Sequence, residues 1–498
     1  MTSKRFSRRD FLRASTLVTA GAFFGNCAAC PALSILNPTE TPTATRRPTK
    51  TPKPTATDAP TPEPTETPEP TATDTPAQSP TTPPSGRVEI RWFIGLGTGS
   101  RPEEVDPEIR FVASFNEEQD DIYLVAEIVD NEVAFDTLKV EIAAGDPPDI
   151  VGPVGVRGTN EFKGFFLDLT DHLDAYDMSD FSDGAIAGWI MPGQGLIGLA
   201  IGVHPSAIFI NKDLFDKAGL DYPVAEYDAA GGWTMDAMTE LALKLTVDRN
   251  DNDATSAAFD PENIVQFGFH HQWTAPRGWG TFFGAGNFVA DDGETAQCPD
   301  HWREAFKWVY DGMWTDYTMP NLAYQDSDLL SGNPFGSGHV AMAHCHTWYT
   351  CCVPPEAAWD FCCVPSYDGK VTAKLHTDMV GVLASTKNPE AAAKAVYGIA
   401  TAPELVKLWG AVPALKSMQG DYISTLSESY PSVGNWDTIV AGLNYVDVPN
   451  HEAYMPNFPR ADTRIMAFQI TMEGSSGADV DAEIDQLVTD LQVIFDAA

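Results

Sequence analysis

Basic residues are scarce in this sequence. Lys and Arg together number 31 in 498 residues, against 70 Asp and Glu, and the formal net charge is −39 at pH 7. A surface this negative repels phosphate backbones and anionic lipid headgroups. We therefore expect no nucleic-acid partner and no charge-driven binding to membranes.

Long apolar runs are scarce as well. After residue 30, no segment is apolar enough over about 20 residues to cross a bilayer. Ala14–Phe24 is apolar but too short for a permanent span, and it follows Ser7–Arg13 (SRRDFLR), which is typical of a twin-arginine export signal. Residues 1–30 are therefore predicted to be a signal sequence, and the protein is predicted to be exported.

The end of this signal sequence indicates a lipid anchor. Ala28-Ala29-Cys30 resembles a lipobox, with Cys27 as a second candidate for lipidation. Residues 31–86 are rich in Thr and Pro and have little apolar surface to bury, so they are predicted to form an extended linker. We expect a folded part tethered through Cys30 to the outer face of the cell membrane.

Motifs that identify common enzymes are missing. GLGTGS, residues 95–100, lacks the Gly-Lys-Ser/Thr of a phosphate-binding loop and the third glycine of a dinucleotide fingerprint. Neither G-x-S-x-G nor H-E-x-x-H occurs. No catalytic residue is predicted. Glycoside hydrolysis needs only two carboxylates about 5.5 Å or about 6.5–9.5 Å apart, so a secreted carbohydrate-active enzyme remains an alternative.

Cysteine is rare and clustered, with five cysteines and three histidines between His339 and Cys363. Exported compartments are oxidising, so we predict disulfides, although the sequence does not determine their pairing. A zinc or copper site involving His344 and His346 and reactive thiols are the alternatives. Regular C-x2-C spacing is absent, and no metal is predicted. The candidate disulfide cysteines are Cys298, Cys345, Cys351, Cys352, Cys362 and Cys363.

The start of the folded part alternates strands and helices. Strands are predicted at Val88–Ile94, Ile122–Val129 and Asp149–Val151, and helices at Pro107–Gln119 and Phe135–Ala144. This order predicts an α/β fold with a mostly parallel sheet. Such sheets bind ligands beyond the carboxyl ends of their strands.

Several motifs, in their order along the chain, resemble family 1 extracellular solute-binding proteins, the sugar-capturing receptors of ABC importers. No single motif is decisive, and the resemblance extends over residues 88–495. The motifs are AGDPPDI from Ala144, GLIGLAIGVHPSAIFINKDLFDKAGLDYP from Gly195, GWTMD from Gly232, GHVAM from Gly338, STKNPEAA from Ser385 and GAVPA from Gly410.

The resemblance implies a two-lobed, type II periplasmic-binding-protein-like fold with a ligand cleft between the lobes. Lobe 1 would comprise residues 87–202 and 375–410, and lobe 2 residues 203–374 and 411–498. The lobes would close around a sugar or oligosaccharide by hinge rotation, and the closed monomer would be read by the permease of an ABC transporter. Such a receptor needs no cofactor and performs no reaction.

A sugar site needs aromatic platforms and polar partners for hydroxyl groups. Aromatic residues that follow predicted strands are candidates for stacking, although core packing is the alternative for each. His376 and Asp378 stand where the family usually has two glycines that contact ligand, and Arg460 is a further polar candidate. The predicted ligand-binding residues are Trp92, Trp273, Trp279, Trp348, Tyr349, His376, Asp378 and Arg460.

One acidic segment resembles the start of a calcium loop. Asp248–Asp253 offers oxygen atoms at alternate positions, but Asp253 replaces the glycine of position six and Phe259 the glutamate of position twelve. A polar turn is the favoured interpretation, and calcium binding remains open. A metalloprotein based on the His/Cys cluster is a third alternative for the function.

Overall fold

The computed structural model of the protein describes residues 86–191, 193–227 and 231–498. The predicted signal sequence, Cys27, Cys30 and the linker up to residue 85 lie outside these residues. Strands and helices alternate along the described chain, which confirms the α/β class. The strands are β1 Val88–Ile94, β2 Ile122–Ile128, β3 Ile150–Gly155, β4 Ile190–Met191, β5 Gly195–Leu196, β6 Gly198–Asn211, β7 Val247–Asp248, β8 Ile264–His271, β9 Val340–His346, β10 Trp359–Cys362, β11 Ser366–Tyr367, β12 Lys370–Val371, β13 Leu375–Val382 and β14 Val412–Pro413.

Helices flank the sheet, and they are shorter and less regular around the middle of the chain. One short 3-10 helix, Thr347–Cys352, directly follows β9 and carries Trp348. The α-helices are α1 Pro102–Glu118, α2 Asn131–Ala144, α3 Val156–Thr159, α4 Asp183–Ala187, α5 Lys212–Ala218, α6 Met235–Leu245, α7 Pro276–Thr281, α8 Asp300–Trp314, α9 Leu322–Gln325, α10 Pro389–Ala400, α11 Pro403–Trp409, α12 Lys416–Ser429, α13 Asp437–Gly442, α14 Phe458–Gly474 and α15 Val480–Phe495.

The motifs quoted above include helix ends. Asn211 caps α5 because its side chain accepts a hydrogen bond from the Leu214 N–H, and Gly219 ends the same helix in the left-handed region at φ 66°. Gly145 ends α2 in the same way at φ 78°. The sequence thus gives these helices a polar cap at the start of α5 and left-handed glycines at the ends of α2 and α5.

The long strand β6 organises the sheet. The strand order is β2-β1-β3-β13-β6-β9-β8-β7, with β10 and β14 also paired to β6. The first half of β6 pairs with β13 and β14, and its second half pairs with β9 and β10. We call the part built on β1–β3 the first lobe and the part built on β7–β10 the second lobe. The chain thus passes between the two lobes in β6, and β13 and β14 are its neighbours there.

Strand directions place two sheet edges face to face. β1 is parallel to β2 and β3, and β8 is parallel to β9, whereas β6 and β13 add antiparallel pairs. Gly155, the last residue of β3, lies opposite Asp378, and His346, the last residue of β9, lies opposite Ser206. The carboxyl ends of the parallel strands in both lobes therefore meet where β6 crosses between the lobes.

The alternation of β6 explains how the second lobe is packed. Ala207 and Phe209 belong to one buried apolar cluster, and Ile208 and Ile210 to the other. Successive strand residues point to opposite faces of a sheet, so an uninterrupted apolar strand is covered by helices on both sides. Among the described residues, no helix is long and apolar enough to span a bilayer.

The contact between β8 and α6 gives a test of this packing. A Cβ atom added at Gly268 would lie 2.0 Å from the Ala242 carbonyl oxygen, so Gly268→Ala must push α6 away from the sheet. We expect an overpacking cost of roughly 1–3 kcal/mol. Thermal and denaturant unfolding measure it.

Gly420→Ala is the matched control. Gly420 lies inside α12, and a Cβ atom there would have nothing within 4 Å. The same substitution should stabilise the protein by about 0.5–1 kcal/mol, because alanine loses less backbone entropy in a helix. Equal effects at the two positions would contradict the assigned packing.

Candidate functional site

Two tryptophans form an aromatic platform at the carboxyl ends of β8 and β9. Trp273 follows β8 by two residues and Trp348 follows β9 by two residues, and their rings are 6.0 Å apart with an interplanar angle of 9°. Trp273 is 49% exposed and has a positive φ of 44°, a conformation that non-glycine residues rarely adopt. Such backbone conformations cluster at ligand sites, so the platform is a candidate binding surface.

Tyr349 supports the platform from behind. Its side chain is buried, and its ring packs edge-on against Trp273 with centroids 5.3 Å apart. The phenol donates a short hydrogen bond to Asn333 Oδ1. The structure thus brings together three of the candidate residues, Trp273, Trp348 and Tyr349, with Tyr349 as a support rather than a surface.

A partly buried ionic cluster lies where β13 pairs with β6. Glu452 Oε2 is 2.8 Å from His376 Nδ1, and Asp378 Oδ1 is 3.6 Å from His376 Nε2. His376 and Asp378 are two residues apart on one strand and therefore share a face, and His204 lies opposite His376 on β6. Gly155 leaves room for this arrangement, because a Cβ atom there would be 2.8 Å from His376 Cε1.

The groups of this cluster shift one another's pKa values in opposite directions. Burial by itself lowers the pKa of His376, but Glu452 and Asp378 outweigh it and raise the pKa well above its usual value. Burial raises the pKa of both carboxylic acids, but His376 outweighs it, and the two pKa values are lowered. Burial lowers the pKa of His204 to about 4. At neutral pH a His376 cation is thus held between two carboxylates, beside a neutral His204.

His346 connects the aromatic platform with the ionic cluster. Its ring centroid lies 6.0 Å from that of Trp348, 5.4 Å from that of His451 and 5.9 Å from that of His376. Burial lowers the pKa of His346 well below its usual value, so this ring is neutral. The platform, His346 and the ionic cluster therefore form one continuous site.

The segment from Asp447 to Ala453 fixes the second lobe's polar groups. Asp447 accepts hydrogen bonds of 2.7 Å from the Leu375 N–H and from the ring and backbone nitrogens of His451. Arg277, which is buried, donates to the Ala453 carbonyl at 2.7 Å. Glu452 is thereby held against the start of β13.

The first lobe reaches the same segment through residues that follow β3. The Asn160 side-chain amide donates to the Glu452 carbonyl at 2.8 Å, and Lys163 Nζ lies 3.5 Å from the centroid of the Tyr454 ring. Burial lowers the pKa of Lys163. The two lobes thus touch beside the ionic cluster.

Three predicted ligand residues lie elsewhere. Trp92 is fully buried in the first lobe, where its indole N–H donates to the Gly152 carbonyl at 2.7 Å. Trp279 is 2% exposed inside the second lobe, and Arg460 is exposed on α14. Trp92 lies within its strand rather than beyond its end, and Trp279 lies on a buried helical turn, so both are core residues. None of the three belongs to the candidate site.

Sequence reasoning missed most of the polar residues of the site. Asn160, His451 and Glu452 lie outside every motif of the sequence analysis, and His346 was considered there only as a ligand of zinc or copper. His204 had a usable signal, since it lies within the quoted motif that starts at Gly195, and its strand pairs with the strand that carries His376.

The cysteines retain their thiols, and no disulfide joins any of them in the described part of the chain. Cys345 on β9 lies opposite Ala207, and Cys362 on β10 lies opposite Ile208, so β6 runs between them. Residues on strands that flank a third strand are about 9.5 Å apart, since neighbouring strands are separated by roughly 4.7–4.9 Å. This exceeds the Cα separation of roughly 7 Å above which two cysteines cannot form a disulfide. The structure therefore excludes a bridge between this pair.

The acidic segment is a polar turn. Asp248 is buried and accepts hydrogen bonds from the backbone of Asn250, Asn252 and Asp260 and from the Asn252 side chain. Burial raises the pKa of Asp248, but these bonds outweigh it and lower the value to about 2. N–H donors thus occupy the oxygen atoms that calcium would need. Within the described ranges, no group of three or more His, Cys, Asp or Glu is arranged to hold a metal ion.

The fold is that of a two-lobed α/β protein, and the candidate site lies at the junction of the lobes. A family model for bacterial extracellular solute-binding proteins matches residues 98–405, which is more than half of the chain. The chain therefore belongs to the bacterial extracellular solute-binding protein family, as the motifs predicted.

Solved structures have the same fold at low sequence identity. UspC of M. tuberculosis has a TM-score of 0.65 and 19% identity, with 82% of this chain and 100% of UspC covered. An ABC substrate-binding protein of Listeria monocytogenes in complex with cycloalternan has a TM-score of 0.59 and 18% identity, covering 82% and 98%. A binding protein of Brucella abortus is 30% identical over 118 residues, which span only 23% of this chain and 28% of that protein.

The partly buried pair His376–Glu452 gives a pH test. Because the pKa of His376 is raised on folding, its contribution to stability is present below about pH 6.5 and is lost as pH rises through the folded value. Because the pKa of Glu452 is lowered, its contribution is present above about pH 4.3 and is lost as pH falls through the folded value. The pair should therefore stabilise the protein most between these limits.

Glu452→Gln should lower the free energy of unfolding by roughly 3 kcal/mol in that window, because it leaves His376 with one carboxylate. Melting temperatures from pH 4 to 9 measure the effect. The matched control is Glu390→Gln, which removes an exposed carboxylate 2.7 Å from His172 and should leave the melting temperature nearly unchanged. Equal effects in the two variants would show that the buried pair does not stabilise the junction.

Proposed function

We propose that this protein is an extracytoplasmic receptor that captures a sugar or oligosaccharide and delivers it to the permease of an ABC transporter. One observation carries the proposal: the Trp273–Trp348 platform adjoins a buried polar cluster at the junction of the lobes. A sugar ring offers a C–H face to an indole and hydroxyl groups to polar atoms. The site provides both kinds of partner side by side.

The charges of the site favour an uncharged ligand. His376 is compensated by Glu452 and Asp378, and Lys374 donates to Thr274 at 2.6 Å. A charged ligand would have to displace one of these interactions, whereas hydroxyl groups need only hydrogen bonds. Buried atoms around the cluster without a hydrogen-bond partner among the described residues are Asn160 Oδ1, His204 Nδ1, Ser206 Oγ, His346 Nε2 and Thr347 Oγ1.

The names of the similar structures support a carbohydrate. They include the cycloalternan complex from Listeria monocytogenes and a cyclic alpha-maltosyl-1,6-maltose binding protein from Arthrobacter globiformis, which has a TM-score of 0.62 and 16% identity. We extend this ligand class to the present chain. The ring-shaped ligands of those two proteins make oligosaccharides the first candidates.

We propose that lobe 1 comprises residues 87–202 and 375–410 and that lobe 2 comprises residues 203–374 and 411–498. The contacts of Asn160 and Lys163 with the Glu452–Tyr454 segment then bridge the lobes in a closed arrangement. Rotation about the crossing strands would open the site to ligand.

The same proposal includes export, a lipid tether on Cys30, a monomeric state and the absence of catalysis. The twin-arginine motif and the Thr/Pro-rich linker support the export and the tether. Family membership supports binding without reaction, since the family consists of solute-binding proteins. A carbohydrate-active enzyme would release altered sugar, whereas a receptor would not.

A panel of oligosaccharides tests the proposal directly. Thermal shift identifies a ligand, calorimetry gives its affinity, and chromatography of the incubated sugar shows whether it is intact. We expect a higher melting temperature with unchanged sugar. Hydrolysed product would establish an enzyme instead, and the absence of heat with every carbohydrate would exclude the receptor.

The aromatic platform gives the sharpest substitution. Trp273→Ala and Trp348→Ala should each weaken binding of the identified sugar roughly 3- to 10-fold or more, because each removes a stacking contact worth about 0.5–1.5 kcal/mol beyond buried area. Tyr222→Ala is the control, since Tyr222 is 44% exposed and bonds to Asp216 away from the site. Unchanged affinity in both tryptophan variants would remove the platform from the site.

A further inference from the structure

Two adjacent cysteines end the 3-10 helix that carries Trp348. Cys351 Sγ and Cys352 Sγ are 3.6 Å apart, and Cys351 is exposed. Cys351 Sγ also donates a hydrogen bond to the Trp348 carbonyl at 3.3 Å. The Cys351 thiol is thus accessible and bonded to the backbone of Trp348, and the Cys352 thiol beside it is partly exposed.

The other four cysteines of the described chain differ in environment. Cys345, Cys362 and Cys363 are buried in the second lobe, and Cys298 is partly buried. Burial raises the pKa of Cys298, Cys345 and Cys363 to about 12 and that of Cys362 well above its usual value. The thiolate is the reactive form of cysteine, so these four thiols are protected and inert.

We propose that Cys351 and Cys352 form a redox-active pair, oxidised to a vicinal disulfide by small-molecule disulfides, and that their oxidation state controls the binding site through Trp348. The location of the pair beside the platform carries this proposal, together with its exposure and short Sγ–Sγ distance. Its effect on ligand binding rests on the proposed function. Formation of the disulfide does not depend on that function.

The oxidation is a balanced thiol–disulfide exchange. The thiolate of one cysteine attacks a sulfur of the small-molecule disulfide, which forms a mixed disulfide and releases one thiolate. The second cysteine then attacks the protein sulfur of that mixed disulfide, which forms the Cys351–Cys352 bond and releases a second small thiolate. The two protons lost by the protein end on the two released thiols, and the small disulfide is the species reduced.

The resulting bridge should be labile. Consecutive Cα atoms are about 3.8 Å apart, below the usual range of about 4.4–6.8 Å for bridged cysteines. Strained and exposed disulfides have less negative reduction potentials and are readily reduced. The pair is therefore suited to reversible oxidation rather than to permanent stabilisation.

Oxidation changes the contact with Trp348. The bridged Cys351 sulfur has no proton, so the hydrogen bond to the Trp348 carbonyl is lost. The turn Thr347–Cys352 must also adjust to close the ring of the vicinal disulfide. We expect the stack between Trp348 and Trp273 to loosen in the oxidised protein.

Peptide mapping tests the pair without any ligand. The purified protein is equilibrated with reduced and oxidised glutathione at several ratios, blocked with an alkylating agent and digested. We expect a 351–352 bridge that appears at moderately oxidising ratios, while Cys345, Cys362 and Cys363 stay alkylatable only after unfolding. A bridge between Cys351 and any other cysteine, or persistence of both thiols at the most oxidising ratio, would overturn the proposal.

Binding and fluorescence test the coupling to the platform. Tryptophan emission should change on oxidation in the wild type but not in Cys351→Ser or Cys352→Ser, while the control Cys298→Ser should behave like the wild type. The oxidised wild type should bind the identified sugar roughly 3- to 10-fold more weakly than the reduced protein. Unchanged emission in the bridged protein would overturn the coupling. If no sugar binds in either state, the receptor function is wrong. Peptide mapping and tryptophan emission then still show whether Cys351 and Cys352 form a disulfide and whether it affects Trp348.

Discussion

Pairing along both edges of β6 is the constraint on which the molecule depends. The strand bonds to β13 and β14 in one half and to β9 and β10 in the other, so it belongs to both lobes at once. Its antiparallel relation to β9 and β13 sets the direction of the remaining strands. As a result, the carboxyl ends of β3, β8 and β9 face the same crossing, and the loops that follow them share one site.

Charge compensation is the second feature of the candidate site, and the proposal of an uncharged ligand depends on it. The His376 cation offsets one of the two carboxylates beside it, and the buried Lys374 adds a second positive charge, so the junction carries little net charge even though the chain carries a formal net charge of −39. Burying an unpaired charge costs free energy, so the site favours a neutral ligand with many hydroxyl groups. The stacked indoles then contribute apolar contact without adding charge.

Local patterns predicted local structure well. β1 occupies the predicted Val88–Ile94, because its alternation and the glycines after it mark both ends, and Trp273 and Trp348 lie together because both follow parallel strands. Trp92 was misassigned because a strand residue points to either face, and the sequence does not say which one is covered. Glu452 was missed because its partner, His376, lies 76 residues away, a distance at which no periodicity operates.

The stacking of His204 on His376 has an evolutionary consequence. Both rings lie on the strands that join the lobes, with centroids 5.9 Å apart, so groups of the candidate site are also part of the proposed pivot. In a receptor with this arrangement, a substitution that changes the ligand preference also changes the equilibrium between open and closed lobes. Selectivity and release cannot diverge independently at these positions, and adaptation to a new nutrient would proceed first through the loops of Trp273 and Trp348.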